Sequence, residues 1–141
     1  SARASSEYRS TEYSAVRAVG APDVPRASDN GKAWASRLPD AGPEWLELSY
    51  APPVAAAGVR IVQSFNPGAI MTIEVVDAEG KSTVVWTGPD RTTYVAGAIG
   101  VLDVTVPRAI GPVAKVKLTL DTARVRGANE IDAVGLLPAP K

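Results

Sequence analysis

The chain contains no cysteine and no histidine among its 141 residues. Without cysteine there is no disulfide framework, no thiolate nucleophile and no cysteine-ligated metal. Without histidine the commonest general base and the commonest metal ligand are both missing. These absences exclude Ser-His-Asp and Cys-His hydrolases, HExxH zinc enzymes and histidine-ligated haem proteins.

Excess charge of one sign is also absent, because 15 Lys and Arg residues balance 15 Asp and Glu residues. Nucleic-acid-binding domains carry a clear basic excess, so the composition argues against a nucleic-acid partner. No apolar run approaches the roughly 18 residues that span a bilayer, and no membrane insertion is expected. Ser1 to Ser10 lacks the apolar segment of a secretory signal, so the chain is either intracellular or a secreted protein without its signal.

The length suits one domain, and 12 Gly with 12 Pro indicate many turns and few long helices. We predict a domain from 13 to 137 between an N-terminal tether, 1–12, and a C-terminal tether, 138–141, because the ends lack hydrophobic periodicity. One helix of one or two turns is predicted over Ala15–Val19, with Ser14 as its cap and Gly20 as its stop. Such ends are typical of a module excised from a longer protein.

After Glu44 the pattern is that of short β-strands, with apolar side chains at every second position. Asn66-Pro67-Gly68 is predicted to connect two strands as a hairpin, and Asp77 to Gly80 is predicted as a second hairpin turn. About seven strands separated by turns predict an all-β fold, an antiparallel β-sandwich. Nine side chains are predicted to share its core: Leu46, Leu48, Tyr50, Leu102, Val104, Val106, Val116, Leu118 and Leu120.

Several landmarks follow one another in a familiar order: Tyr13-Ser-Ala-Val-Arg-Ala-Val-Gly-Ala-Pro-Asp23, Ala33-Trp34, Glu44-Trp-Leu-Glu-Leu48, Phe65-Asn-Pro-Gly-Ala69, Val85-Trp86 with Gly88, and Asn129-Glu-Ile-Asp-Ala-Val134. This order resembles the galactose-binding-like jelly-roll domains, the discoidin and coagulation factor 5/8 C-type group that includes many bacterial carbohydrate-binding modules. The resemblance covers about Tyr13 to Leu137. It implies a jelly roll, but it names no ligand, since this fold hosts many functions.

The resemblance also implies a structural calcium ion. Members of the group often hold Ca²⁺ between the loop after the helix and a Glu near the last strand, which corresponds here to Asp23 or Asp29 with Glu130. Backbone carbonyls near 30–33 would complete the oxygen ligands that Ca²⁺ requires. The alternative is that Asp29-Asn30-Gly31 forms a plain turn and that Glu130 caps backbone N–H groups.

Aromatic rings beside Arg and Asn donors indicate sugar recognition, because a pyranose stacks on a ring while its hydroxyl groups take hydrogen bonds. Arg124 and Arg126 lie in the loop before Gly127 and share one face if that segment is extended, an arrangement that suits carboxylates or acidic sugars. The alternative for any single tryptophan is a place in the core, and that alternative is favoured. The predicted ligand contacts are Trp34, Arg37, Asn66, Trp86, Tyr94 and Arg126.

Together these features predict a non-catalytic, carbohydrate-binding module from a larger secreted, cell-surface or periplasmic bacterial protein. Carbohydrate is the expected partner, with other domains of the parent protein as further partners. The alternative function is a structural or protein-interaction domain that docks a neighbouring domain. A concave loop pocket that combines a ring with Asn or Arg favours the first function, and an exposed apolar patch favours the second.

Overall fold

Alternating apolar and polar side chains build two antiparallel β-sheets in the computed structural model, which describes residues 1–93 and 99–139. The fold is an all-β sandwich, as the sequence predicts. The strands are β1 (Ala2–Ala4), β2 (Trp34–Ala35), β3 (Pro43–Val54), β4 (Ala56–Phe65), β5 (Ile70–Asp77), β6 (Ser82–Thr87), β7 (Gly100–Thr105), β8 (Val113–Asp121) and β9 (Glu130–Pro138). None of the helical segments in the described ranges is long or apolar enough to cross a membrane.

The core lies between a five-stranded sheet, ordered β1-β3-β8-β5-β6, and a four-stranded sheet, ordered β2-β9-β4-β7. Leu46, Leu118 and Ile73 stand side by side on three neighbouring strands of the first sheet, and all three are fully buried. Burying each such side chain contributes about 1.5–3 kcal/mol of transfer free energy. Of the nine predicted core residues, seven are buried, and Tyr50 and Leu102 are half-buried against the same core.

The predicted helix is a single 3-10 turn, Ala15–Ala18, followed by Gly20 at a φ of 85°. The prediction that Ser14 caps it is wrong. The Ser14 hydroxyl instead donates a 2.8 Å hydrogen bond to the Thr11 carbonyl, because the chain before the helix turns back on itself.

The N-terminal tether prediction is wrong for Ala2–Ala4, which form the edge strand β1 and pair with β3 at Leu46 to Leu48. Short alanine-rich segments carry no periodic signal, yet they can add a strand wherever a sheet edge offers free N–H and C=O groups. At the other end, Pro138 belongs to β9 and pairs with Ala56. Residues 140–141 of the predicted C-terminal tether lie outside the described residues.

The Asp77 to Gly80 hairpin is confirmed, with Gly80 at a φ of 88° and the Asp77 carboxylate accepting two backbone N–H groups. The hairpin prediction for Asn66-Pro67-Gly68 is wrong, because β4 and β5 belong to different sheets and this turn crosses between them. Asn66 has a positive φ of 46°, which gives the crossing its sharp bend.

Candidate functional site at the loop end of the sandwich

Loops from three parts of the chain hydrogen-bond to one another at one end of the sandwich. The Asn66 amide donates to the Ala128 carbonyl at 2.9 Å, and the Asn129 amide donates to the Asn66 carbonyl at 2.9 Å. The Gly127 N–H donates to an Asp40 carboxylate oxygen at 2.9 Å. Since several hydrogen bonds fix them, these loops form a preformed wall that needs little ordering when a ligand binds.

A cavity of about 330 Å³ lies between this wall and the N-terminal segment. Its residues include two tyrosines whose ring centroids are 5.3 Å apart in an edge-to-face arrangement at 85°. Tyr8 is 50% exposed, so half of its surface is open to a ligand. The cavity, called the tyrosine pocket below, is lined by Tyr8, Arg9, Glu12, Tyr13, Asp29, Ala35, Ser36, Pro39 and Ala128.

Tyr13 is held in a conformation that a side-chain-bearing residue rarely adopts, with a φ of 57°. Its N–H donates to the Gly31 carbonyl at 2.9 Å, and its carbonyl accepts the Ala35 N–H at 3.1 Å. Its hydroxyl donates to an Asp29 carboxylate oxygen at 2.7 Å. Such strained backbone costs of the order of 1–3 kcal/mol and concentrates at functional sites, which points to the tyrosine pocket.

The segment that carries Tyr8 is anchored on both sides. The Tyr8 N–H donates to the Ala35 carbonyl at 2.9 Å, and the indole N–H of buried Trp34 donates to the Ser6 carbonyl at 3.0 Å. The Glu7 carboxylate accepts the Ala15 N–H at 2.8 Å. These contacts tie the rim of the tyrosine pocket to β2 and to the 3-10 turn.

Carboxylates dominate the charge of the tyrosine pocket. Glu12 and Asp29 line it with one cation, Arg9, whose guanidinium lies 5.4 Å from the centroid of the Tyr8 ring. The Asp29 hydrogen bond, burial and the charges of Asp29, Glu130 and Glu12 raise the pKa of the Tyr13 hydroxyl above its ordinary value. The pocket therefore combines aromatic surface with hydrogen-bonding groups and a negative potential.

Asp29 and Glu130 lie side by side behind the tyrosine pocket, as the sequence analysis predicts for two metal ligands. One Glu130 carboxylate oxygen accepts the Asn30 N–H at 2.9 Å, and the other is buried without a donor among the described residues. The pKa of Glu130 is raised from 4.5 to about 8, mainly by burial and also by the neighbouring Asp29 carboxyl, while the Asn30 N–H acts to lower it. Glu130 is buried whereas Asp29 is exposed, so it is the charge of Glu130 that calls for a proton or a cation beside it.

Asp23 is not part of this pair. The Asp23 and Val24 N–H groups donate to the carboxylate of Asp132, which is fully buried. Burial raises the pKa of Asp132 to about 6, and the Asp23 carboxyl also raises it. The structure thus pairs Asp23 with Asp132 and Asp29 with Glu130. Within residues 1–93 and 99–139 no three acidic side chains form a metal-binding group. The sequence analysis did not single out Asp132, because a single acidic residue among the apolar residues of a strand gives no sign that it will accept the N–H groups of a distant loop.

The five predicted ligand contacts that the structure describes do not line the tyrosine pocket. Trp34 is 0% exposed, so its prediction as a ligand platform is wrong and its core alternative is confirmed. Trp86 is half-buried within β6 opposite Ile73, and the Asn66 amide is engaged by Ala128. Arg37 and Arg126 are exposed on the loops of this end of the sandwich, and Tyr94 lies outside the described residues.

The extended pairing of Arg124 with Arg126 is also wrong, because the segment bends instead of running straight. Arg124 approaches the Met71 sulfur at 3.9 Å. Sequence reasoning missed Tyr8, Arg9, Glu12 and Tyr13, which it placed in or beside a tether. Their signal was the interleaving of tyrosines with charged residues in Glu7-Tyr-Arg and Glu12-Tyr13.

Comparison with known proteins finds likeness in structure alone. Neither a scan of family models nor a search of curated sequences gives a match. Chitosan-binding module 1 of a chitosanase/glucanase from Paenibacillus sp. IK-5 is 21% identical, with a TM-score of 0.61 over 95% of this chain and 91% of that one.

Two further solved structures with the same fold are complexes with carbohydrates. CpGH89CBM32-4 from Clostridium perfringens, in complex with GlcNAc-alpha-1,4-galactose, is 13% identical with a TM-score of 0.64, over 96% of this chain and 88% of that one. The lectin domain of lectinolysin, complexed with Lewis B antigen, is 13% identical with a TM-score of 0.71, over 99% of this chain and 93% of that one. The chain therefore has the β-sandwich fold of these carbohydrate-binding modules and of this lectin domain.

Proposed function

We propose that this chain is a non-catalytic carbohydrate-binding module and that the tyrosine pocket is its binding site. The observation that carries the proposal is the convergence of Tyr8, Tyr13, Arg9 and two carboxylates in one cavity at the loop end. The half-exposed Tyr8 ring offers a stacking surface for a pyranose, and the charged groups offer hydrogen bonds to hydroxyl groups. The shared fold with sugar-binding structures supports the same conclusion.

The proposed setting is outside the cytoplasm, in a larger secreted, cell-surface or periplasmic bacterial protein. The module from Paenibacillus derives from a chitosanase/glucanase, which supports a module that delivers an enzyme to its polysaccharide. In this role the module itself leaves the glycan intact. The lack of histidine and cysteine supports binding without catalysis. The Asp29 carboxylate is already engaged, since it accepts the Tyr13 hydroxyl and lies beside the Glu130 carboxyl.

A glycan array followed by calorimetry with the best ligand tests the proposed function. Tyr8→Ala should weaken binding at least about tenfold, because it removes the exposed ring of the site. Val84→Ala is the control, since Val84 is 52% exposed on the edge strand β6 and does not line the tyrosine pocket. An array without any bound glycan, equal losses in both variants, or cleavage of the ligand would each contradict the proposal.

A second candidate function has its own observation. A groove of about 170 Å³ on the outer face of the four-stranded sheet is lined almost wholly by apolar groups from 20–22 and from Leu136 and Leu137. A surface of this kind suits a structural or protein-interaction domain that packs against a neighbour. A negative glycan array would favour this alternative.

We also propose that a structural Ca²⁺ binds between Asp29 and Glu130. The residues fit the ion because a buried Glu130 oxygen lacks a donor and the Asp29 carboxyl is its neighbour. The ion would neutralise both groups, with backbone carbonyls of the surrounding loop as its remaining ligands. Asp23, held by Asp132, is left out of this ligand set.

A further inference from the structure

The carboxylates of the tyrosine pocket differ in how far the protein already uses them. Asp29 accepts the Tyr13 hydroxyl and lies beside Glu130. Glu12 is exposed, and it makes no hydrogen bond or ion pair with the residues that the structure describes. Glu12 is therefore the carboxylate that is free to receive a ligand.

The position of Glu12 depends on a glycine. A Cβ atom at Gly31 would lie 2.9 Å from the Glu12 Cβ and 3.2 Å from its carboxyl carbon. Only a residue without a side chain lets the Glu12 stem lie flat against the loop in this way. The stem of Glu12 therefore packs against Gly31 where the side chain lines the pocket.

Arg9 is the one cation among the described residues that line the pocket, and it forms no ion pair with Glu12. The Arg9 guanidinium lies over the Tyr8 ring at 5.4 Å, and the three ion pairs found among the described residues do not include it. With Glu12, Asp29 and Arg9, the lining carries two negative charges and one positive charge. A negatively charged ligand would meet like charge here, whereas a cationic ligand would find a matching potential.

We propose that the tyrosine pocket selects sugars that carry a protonated amine, with Glu12 as the acceptor for the ammonium group. The inference rests on the proposed function, because it assigns the ligand class of the same pocket. An ammonium-to-carboxylate contact is a charge-assisted hydrogen bond, roughly twice as strong as a neutral one. N-acetylation removes the positive charge of the amine, and a uronic acid brings a carboxylate that the pocket repels, so both kinds of sugar are discriminated against.

Three trimers with the same β-1,4 linkage isolate the amine, since they carry an amine, an acetamide or a hydroxyl group at C2. Calorimetry with the trimers of glucosamine, N-acetylglucosamine and glucose should show at least about tenfold tighter binding of glucosamine at low salt. This preference should shrink as salt is added, because screening weakens exposed charge pairs. Glu12→Gln should remove most of the preference for glucosamine, because the amide has no charge with which to attract the ammonium group.

Glu79→Gln is the matched control, because Glu79 is an exposed carboxylate in the Asp77 to Gly80 turn. It should keep the full preference for glucosamine. Equal binding of the three trimers, tighter binding of the acetylated one, or a full preference in Glu12→Gln would overturn the inference. Any of these outcomes leaves the proposed function standing, whereas a chain that binds no saccharide at all overturns both.

Discussion

Gly127 shows how one residue fixes the loop end of the sandwich. It has a φ of 93°, and a Cβ atom placed on it would lie 2.7 Å from the Asn66 amide nitrogen. The same amide nitrogen donates to the Ala128 carbonyl, and Ala128 lines the tyrosine pocket. Glycine is thus required at 127 both for its backbone conformation and for the close approach of Asn66.

Gly127→Ala should lower the free energy of unfolding by about 2–3 kcal/mol, measured by urea denaturation, because left-handed strain and a displaced Asn66 amide add together. Gly80→Ala separates the two effects, since Gly80 has a similar φ of 88° but open space around it. The control should lose only about 1–2 kcal/mol. Equal losses in the two variants would show that the Asn66 contact contributes nothing.

Glu130 makes stability depend on pH when no metal is bound. Its pKa, raised by burial to about 8, lies above the ordinary value of 4.5, so the folded state holds a proton that the unfolded state has released. The stabilisation is complete below pH 4.5 and is lost as pH rises through 8. Glu130→Gln should remove the loss of stability near pH 8. Asp132, whose pKa is raised to about 6, should still make the stability fall near pH 6.

Calcium should replace that proton. At about 100 times its dissociation constant, an ion that binds only the folded state adds about 2.7 kcal/mol, which raises the melting temperature by about 10 °C for a domain of this size. Glu130→Gln should abolish this rise and Glu79→Gln should keep it. Identical melting curves at pH 8 with calcium and with chelator would rule out the calcium site.

Among the elements, β1 covers the edge of the five-stranded sheet. The Ser49 N–H donates to the Ser1 carbonyl and the Ser5 N–H donates to the Trp45 carbonyl, each at 2.9 Å. Arg3 adds a 2.9 Å ion pair with Glu47, and its guanidinium lies 5.3 Å from the centroid of the Trp45 ring. The backbone of β1 and the side chain of Arg3 therefore both bind to the same edge of β3.

Removing residues 1–4 should lower the free energy of unfolding by at least about 2 kcal/mol, because several backbone hydrogen bonds of about 1 kcal/mol each are lost. Arg3→Ala keeps the strand and should cost less than the truncation, because the Arg3 side chain is 69% exposed and Lys115 still lies 3.8 Å from the Glu47 carboxylate. The truncated chain should also self-associate through the uncovered edge of β3, as measured by light scattering. A truncated chain that is as stable and as monomeric as the full chain would mean that β1 is dispensable.

At the scale of the whole molecule, the two sheets act as a rigid base for loops that come from distant parts of the sequence. The buried row of Leu46, Leu118 and Ile73 holds neighbouring strands of the five-stranded sheet in register. The loops that follow the strands therefore meet at one end of the sandwich. Asp29, Ala35 and Ala128 reach the tyrosine pocket from different loops and strands. The site is therefore a property of the assembled sandwich, which accounts for its preformed shape.

The sequence by itself determined the strands from β3 to β9, the fold class and most of the core, because a side-chain period of two shows which face of a strand is buried. Leu46 and Leu118 were found in this way without knowledge of their partners. The resemblance to jelly-roll domains also gave Asp23 or Asp29 as the neighbour of Glu130, and the structure brings Asp29 beside it. These features follow from local pattern or from the order of landmarks along the chain.

Only the tertiary structure decided which groups meet at the loop end. Burial depends on what covers a side chain, so Trp34 could be a ligand platform or a core residue until the chain had folded over it. The sequence offered Asp23 and Asp29 as alternative partners of Glu130, and only the fold shows that Asp29 lies beside Glu130 while Asp23 neighbours Asp132. Tyr8 and Tyr13 form a pocket because β1 docks on β3 and carries the N-terminal segment past β2. No local pattern encodes such long-range pairing, since its free energy comes from contacts that exist only in the folded molecule.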